Sequence, residues 1–385
     1  MLKKNRFAHT DLVIISDNNL GLLGGERESQ LILINEIKNH LSVSVIQPGA
    51  FEDSIDGVNV YWKTKSKRMK QLIKNPFAFI AYFFKINRLI GKIKPSVIHS
   101  NSQVSFFIVT LGKRLKLIPK NCVIIHTDRG LFTKCSAFFR RLFYFSFKKT
   151  DVLVTTTTFN QKKWIEANEK KKLKLRYEVI GNTAGLIYET IDETKMPNNT
   201  YLTVGFAGRM CDWKDWPLAE NICKKISSIG DVHIKMYVSC LDKHSVKLTN
   251  EMFERMLAIF DNRFEGRINV PFSEMEDFYY QIDVFVLTSK PNTESFGRTI
   301  VEAMSRKTAV LTTDAGGSVE VVSDKDTVCN TSLDFANKII GWNNDKSSLF
   351  LAKEKNLQRV RKEYTYSANV ENYLKLYRCY IKNDE

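Results

Sequence analysis

Short runs of apolar and β-branched residues recur along this chain, and each is followed by a longer amphipathic stretch. The first series is Leu12–Ser16, Val43–Gln47, Val97–Ser100, Cys122–His126, Val152–Thr155 and Tyr177–Ile180. A polar stretch, Tyr188–Thr200 (YETIDETKMPNNT), then breaks the rhythm and reads as a linker. The series resumes at Leu202–Phe206, His233–Val238, Arg263–Phe264, Val284–Leu287, Val310–Thr313 and Thr327–Cys329. Parallel neighbours need a crossover between them, and a helix is the usual one. Sustained alternation therefore predicts parallel sheets with helices on both faces. Two such series predict an α/β chain of two doubly wound domains facing a central cleft, with ligands at the carboxyl ends of the strands. The expected boundaries are 1–190 and 200–366, followed by a helix over 367–385 that packs back across the domains. In that last segment Ser367 is the expected N-cap. Val370, Tyr373, Leu374, Leu376 and Tyr377 form its apolar stripe.

The 385 residues suit two domains. A content of 43% hydrophobic and 26% charged residues excludes disordered and low-complexity classes. The seven cysteines are widely spaced, odd in number and contain no CxxC, which argues against a disulfide framework and a zinc ribbon and fits reduced cytosolic thiols. The apolar run Leu12–Ile15 lies between Asp11 and Asp17 and is too short for a signal-peptide core. The run FAFIAYFF over 77–84 would span roughly 12 Å as a helix, against about 30 Å of hydrocarbon. The expectation is a cytoplasmic protein that is peripheral on the inner face of the cell membrane.

Charge is divided unevenly. Residues 1–200 hold 33 Lys and Arg against 16 Asp and Glu, while residues 201–385 hold 25 against 26. Within 63–149 there are 20 basic residues and one acid, Asp128. Two segments there, 63–94 and 138–149, mix Lys and Arg with Phe, Tyr, Leu and Ile. That composition suits a helix lying in an anionic membrane interface. It also suits core helices whose lysines face solvent. A nucleic-acid partner is not expected, because no recognised nucleic-acid motif accompanies the charge.

Four stretches carry polar chemistry at strand ends. In ESFGRTIVE (294–302), Glu294 lies in a loop, and Gly297 lets a bulky group approach the backbone. Main-chain amides at Ser295, Phe296, Gly297 and Arg298 would open a helix and form an anion site. Glu302 follows about one turn further in. Two carboxylates flanking a phosphate nest suit a nucleotide-sugar, although two surface glutamates at a helix start would read the same way. In VGFAGRMCDWKDW (204–216) a strand ends at Gly208–Arg209 and Lys214 follows. Two cations there can neutralise a diphosphate leaving group. They can equally be exposed basic residues. LLGGERES (22–29) places Gly24 and Gly25 after the first strand, with Glu26 and Arg27 next. It is not a GxGxxG, so a nicotinamide site is not indicated. CVIIHTDRG (122–130) closes a strand with His126 and sets Asp128 in the loop, where either residue could be structural. Asn182 and Ser100–Ser102 are lesser strand-end candidates.

The first two of these stretches carry a resemblance. Glu294–x7–Glu302, within TSKPNTESFGRTIVEAMSRKTAVLTTDAGGSVEVV (288–322), resembles the signature of retaining GT-B glycosyltransferases, close to glycosyltransferase family 4 (glycosyl transferases group 1). The preceding GRINVPFSEMEDFYYQIDVFVLTS and the following Gly316–Gly317–x–x–Glu320 agree with it. The resemblance covers most of 10–380 and is thin over 50–120. It implies the GT-B architecture of two Rossmann-like domains. It also implies a retaining, metal-independent, cofactor-free hexosyl- or N-acetylhexosaminyltransferase. The implied donor is a nucleotide diphosphate sugar, UDP-linked ahead of GDP-linked. The basic, aromatic first half, in turn, suggests a lipid-linked or cell-envelope glycan at the cytoplasmic membrane face as the acceptor. By the same resemblance Glu294 contacts the donor sugar, and Glu302 contacts the ribose. Arg209 and Lys214 meet the diphosphate. Gly24 and Gly25 face the donor phosphates, and His126 lies beside the donor sugar. Glu26, Arg27 and Asp128 are acceptor-side candidates. Two departures are visible: Asp215 stands where many members have Gly, and Ser305–Thr308 replaces a small-residue turn. A noncatalytic GT-B partner subunit, a sugar-nucleotide epimerase on the same fold and a nucleic-acid-binding protein are the rival readings.

Overall fold

The computed structural model describes residues 10–22, 25–50, 54–130, 136–169, 171–196 and 200–381. Gly24 lies outside them. The chain divides into two compact units. One is formed by Met1–Gly181 with Ser367–Glu385, and the other by Asn182–Tyr366.

The first unit is built on a seven-stranded sheet. Its strands are β1 (Leu12–Ile15), β2 (Val43–Ile46), β3 (Asn59–Tyr61), β4 (Val97–Ser100), β5 (Val123–Asp128), β6 (Val152–Thr155) and β7 (Arg176–Val179), in the order β3-β2-β1-β4-β5-β6-β7. Every pairing is parallel, and Leu12 sits in register with both Val43 and Val97. Strands β1, β2, β4 and β6 are buried throughout, as strands covered on both faces must be. The second unit carries β8 (Leu202–Arg209), β9 (Val232–Ser239), β10 (Phe264–Ile268), β11 (Val284–Leu287) and β12 (Ala309–Thr312), in the order β10-β9-β8-β11-β12, again all parallel. In each sheet the chain first builds outward on one side of its starting strand and then returns to the other. The crevices between β1 and β4 and between β8 and β11 are therefore topological switch points, where loops diverge and leave room for a ligand.

Two sequence expectations are corrected. Asn59–Tyr61 is a strand that the apolar pattern does not show, because a three-residue, half-exposed edge strand has no buried run to reveal it. Thr327–Cys329 is not a strand: Lys325–Thr327 forms a 3-10 turn, and only Val328 bridges, to Thr312.

The basic segment 63–94 resolves into a short turn of helix at Met69–Leu72 and a long helix, Pro76–Ile93. Asn75 starts the long helix by accepting the Ala78 N–H at 3.1 Å, with Pro76 in its first turn. Segment 138–149 is the helix Ala137–Phe147, capped by Ser136. The last helix, Tyr366–Arg378, begins one residue before the expected cap Ser367. It buries the predicted stripe Val370, Tyr373, Leu374, Leu376 and Tyr377. It is counted with the first unit, where Tyr377 Oη lies 2.6 Å from His99 Nδ1 and Tyr373 Oη 3.2 Å from Thr127 Oγ1. No helix among the described residues is long and apolar enough to cross a membrane.

Candidate functional site

At the switch point of the second unit, the loops after β8, β11 and β12 are tied into one structure. The β8 loop passes through a 3-10 turn, Asp212–Lys214, and enters helix Trp216–Ile226 through Asp215 at φ 47°. That left-handed geometry explains why glycine suits this position, and Asp is among the few other residues that tolerate it. A Cβ on Gly208 would meet the Lys214 stem at 3.4 Å, so the lysine lies against the strand end. Lys214 Nζ then reaches Glu294 Oε1 at 2.7 Å, across 80 residues of chain, with both side chains 14% exposed. Ser289 Oγ donates to the same oxygen at 2.7 Å. The Lys214 carbonyl accepts from Thr288 Oγ1 at 2.8 Å, and the Trp213 carbonyl from the Lys290 N–H at 2.9 Å.

The loop carrying Glu294 is fixed from the other side. Glu294 N–H donates to the Ala315 carbonyl, and Gly317 N–H to the Glu294 carbonyl, each at 2.9 Å. Contact is so close that a Cβ on Gly317 would sit 2.1 Å from the Ser295 carbonyl oxygen. Gly297, at φ 89°, turns the chain into helix Arg298–Ser305. Phe296 is buried edge-on against Tyr364, 5.4 Å between ring centres, so only its main chain can serve a ligand. Arg209 is exposed at the end of β8 and forms no ion pair among the described residues.

Glu302 is placed differently from Glu294. It is 4% exposed, and both oxygens are engaged: Oε1 accepts from Arg298 Nε at 2.7 Å and Oε2 from Tyr279 Oη at 2.8 Å. Burial and then the Glu302 charge push the Tyr279 phenol well above its ordinary value. Arg298 also lies over the Phe272 ring, 5.0 Å from its centre. The Ser305–Thr308 turn holds Lys307 at φ 58° and buries Arg306. The Arg306 guanidinium pairs with Glu276 at 2.7 Å, bonds the carbonyls of Ile187 and Tyr188, and lies between the rings of Tyr188 and Tyr280.

The remaining sequence candidates belong to the first unit. His126 is 1% exposed and stacks on Phe106 at 3.9 Å. Its Nδ1–H donates to the Ser100 carbonyl at 3.1 Å, and Nε2 has no partner among the described residues. Burial pushes its pKa down to about 3, so the ring is neutral. Asp128 is also buried. Its carboxylate accepts from Trp164 Nε1 at 2.5 Å and Gly130 N–H at 3.1 Å, and burial raises its pKa against those bonds. Both oxygens thus anchor the β5 loop. Arg27 Nε donates to the Leu20 carbonyl at 2.6 Å. Gly25 and Glu26 open helix Gly25–Ile37. Asp17, which the sequence reading passed over, accepts the N–H groups of Val104 and Ser105 and so occupies the N-terminus of helix Gln103–Arg114. Asn101, inside the Ser100–Ser102 stretch, is buried at the end of β4 with both amide atoms unpartnered among the described residues. Ser289 and Tyr279 were missed as well. Each is an ordinary core-type residue in sequence, and only the fold brings it to a carboxylate.

Residues 202–345 match the family model described as Glycosyl transferases group 1. The chain is 23% identical over 328 residues to the capsular polysaccharide biosynthesis glycosyltransferase CapM of Staphylococcus aureus, covering 80% of this chain and 83% of that one. The whole fold is similar to that of Anabaena Alr3699/HepE, solved in complex with UDP and glucose. There the TM-score is 0.75 at 15% identity, over 96% of this chain and 99% of that one. Sucrose-phosphate synthase from Thermosynechococcus elongatus gives a TM-score of 0.75 at 15% identity, covering 96% and 98%. The match to the family model thus lies in 202–345, in the second unit, while the fold of the chain along most of its length is similar to that of GT-B glycosyltransferases.

Proposed function

We propose that the protein moves a sugar from a nucleotide diphosphate sugar, UDP-linked ahead of GDP-linked, to a hydroxyl of a lipid-linked or cell-envelope glycan. The observation that carries this reading is the Lys214–Glu294 pair at the β8–β11 switch point. The pair holds a cation and a carboxylate together at the carboxyl end of the sheet, between the β8 strand end that carries exposed Arg209 and the loop that opens helix Arg298–Ser305, which supports a diphosphate-sugar site there. The relative CapM is named for capsular polysaccharide biosynthesis, and the HepE structure contains UDP and glucose.

In the proposed reaction the bond from the anomeric carbon to the diphosphate oxygen breaks as the acceptor oxygen bonds to that carbon. The acceptor proton passes to the departing diphosphate. The attack is from the leaving-group face, so configuration is retained. Arg209 and Lys214 stabilise the charge that collects on the diphosphate, and Glu294 accepts hydroxyls of the sugar and orients it. Glu302 serves the nucleotide end by holding Arg298. The cations supply the positive charge, so the reading needs no bound metal. Chelator should leave the rate unchanged.

The test is nucleotide release and thermal shift across a panel of UDP- and GDP-sugars, repeated with Glu294→Ala and Lys214→Ala. One donor should stabilise the wild type, and both variants should lose the response. A folded wild type that answers no donor would leave a noncatalytic partner subunit as the better reading.

A further inference from the structure

Helix Pro76–Ile93 sorts its residues by face. Tyr82, Phe83, Ile86, Leu89, Ile90 and Ile93 enter the core. The outer face carries Phe77, Ile80, Ala81 and Phe84 in its first half and Lys85, Arg88 and Lys92 in its second, all exposed. At 3.6 residues per turn these seven fall within a strip about 140° wide. Phe77 is 86% exposed. A second cluster opens helix Ala137–Phe147, where Phe138 is 71% exposed beside Phe139 and Arg141. Helix Gln103–Arg114 packs against both helices, so the clusters share one face of the sheet. A crossover helix runs back against the strands it joins, so its first turn sits at the carboxyl edge of the sheet. Phe77, Phe138 and Phe139 all lie in such first turns. They therefore stand at the edge where the loops after β1 and β4 emerge.

The charge around these aromatics has one sign. Among the 20 Lys and Arg of 63–149 the single acid is Asp128, and it is buried against Trp164. The described part of this stretch thus presents cations and exposed aromatic and aliphatic side chains and contributes no exposed carboxylate of its own; Asp151, just beyond it, pairs with Lys113 at 3.0 Å. Cations alone would suit any polyanion. Ile80 and the protruding Phe tips need an apolar host as well, which a phosphate backbone does not provide. An anionic bilayer provides both, headgroups for the cations and an acyl boundary for the rings.

We propose that this face is a docking surface for membranes bearing anionic phospholipid. The first turns of the two helices insert, and Lys85, Arg88 and Lys92 lie at headgroup level behind them. Docking in this way turns the carboxyl edge of the first sheet toward the bilayer. The inference goes beyond the transfer reaction and does not depend on it.

The test is flotation of the full chain with vesicles of phosphatidylcholine alone and of phosphatidylcholine mixed with phosphatidylglycerol. Enrichment is expected on the mixed vesicles only. The Phe77→Ser/Phe138→Ser variant should lose affinity by about tenfold or more, the factor set by exposing one buried aromatic side chain. Lys85→Gln/Arg88→Gln/Lys92→Gln should weaken binding and flatten its dependence on salt. All these positions are exposed, so circular dichroism melts should match the wild type. Donor-induced thermal shift on the same variants reads the transfer site separately and should be unchanged. No enrichment on mixed vesicles, equal binding to phosphatidylcholine, full binding by the double Phe variant, or displacement of the vesicles by duplex DNA would each overturn the proposal.

Discussion

At the scale of the residue, the two signature glutamates do different work. Glu294 is reached by a lysine and a serine from separate loops and keeps some exposure, whereas Glu302 is closed in by Arg298 and Tyr279. Lys214→Ala should lower kcat by about 10²–10³-fold, the scale of one lost donor to a developing oxyanion, with a smaller change in stability. Glu302→Ala should lower stability by about 3–5 kcal/mol, because it strands a guanidinium in a buried site. Urea midpoints for the two variants, set beside their steady-state rates, separate these roles. The buried histidines add a pH dependence. Burial lowers the pKa of His126 to about 3, and burial, then Arg129 and His126, lower that of His99 well below its ordinary value. Unfolded, each histidine binds a proton near pH 6.5, so acid favours the unfolded chain. Stability is full above that pH. It should fall by about 1.4 kcal/mol per pH unit per histidine as the pH drops toward the folded values. Asp128, whose carboxyl is raised by burial, works in the opposite sense at lower pH. Hydrogen exchange of peptides from 97–128 at pH 7.5 and 5.5 measures the slope, and His126→Gln should flatten it.

At the scale of the element, two glycines in the second unit make a controlled pair. Gly317 lets helix Gly317–Val322 touch the Ser295 main chain, where a Cβ would lie at 2.1 Å. Gly317→Ala must push the Glu294 loop aside. A displacement of about 1 Å at a reacting group can cost about 10²-fold in rate, and kcat/KM for the preferred donor should fall on that scale. Gly341 lies within helix Ser332–Asn344 and meets nothing within 4 Å. Gly341→Ala should therefore stabilise by about 0.5–1 kcal/mol, read from the urea midpoint, and leave the rate alone. The same scale explains the strand errors. A buried strand shows itself as an apolar run, while Asn59–Tyr61 is a half-exposed edge, and Thr327–Cys329 has strand composition but only one bridging residue.

At the scale of the whole molecule, the chain leaves its first unit at Gly181 and returns to it at Ser367. Removing Ser367–Glu385 should therefore weaken the unit that is distant in sequence. Val370, Tyr373, Leu374, Leu376 and Tyr377 are each worth about 1.5–3 kcal/mol when buried, together approaching the about 5–15 kcal/mol that holds a domain. Limited proteolysis of the truncated chain should cut within 10–181 and spare 202–345. The sequence by itself determined the class of fold, the family resemblance carried by 288–322 and the side of the charge, because buried parallel strands must read as apolar runs, a motif is local, and charge is additive. Which polar groups meet was decided only by tertiary structure. Lys214 and Glu294 are 80 residues apart, His99 and Tyr377 are 278 apart, and the Phe side chains of one helix divide between core and surface. No local pattern encodes such pairings, since they arise when crossovers bring the ends of separate strands to one edge.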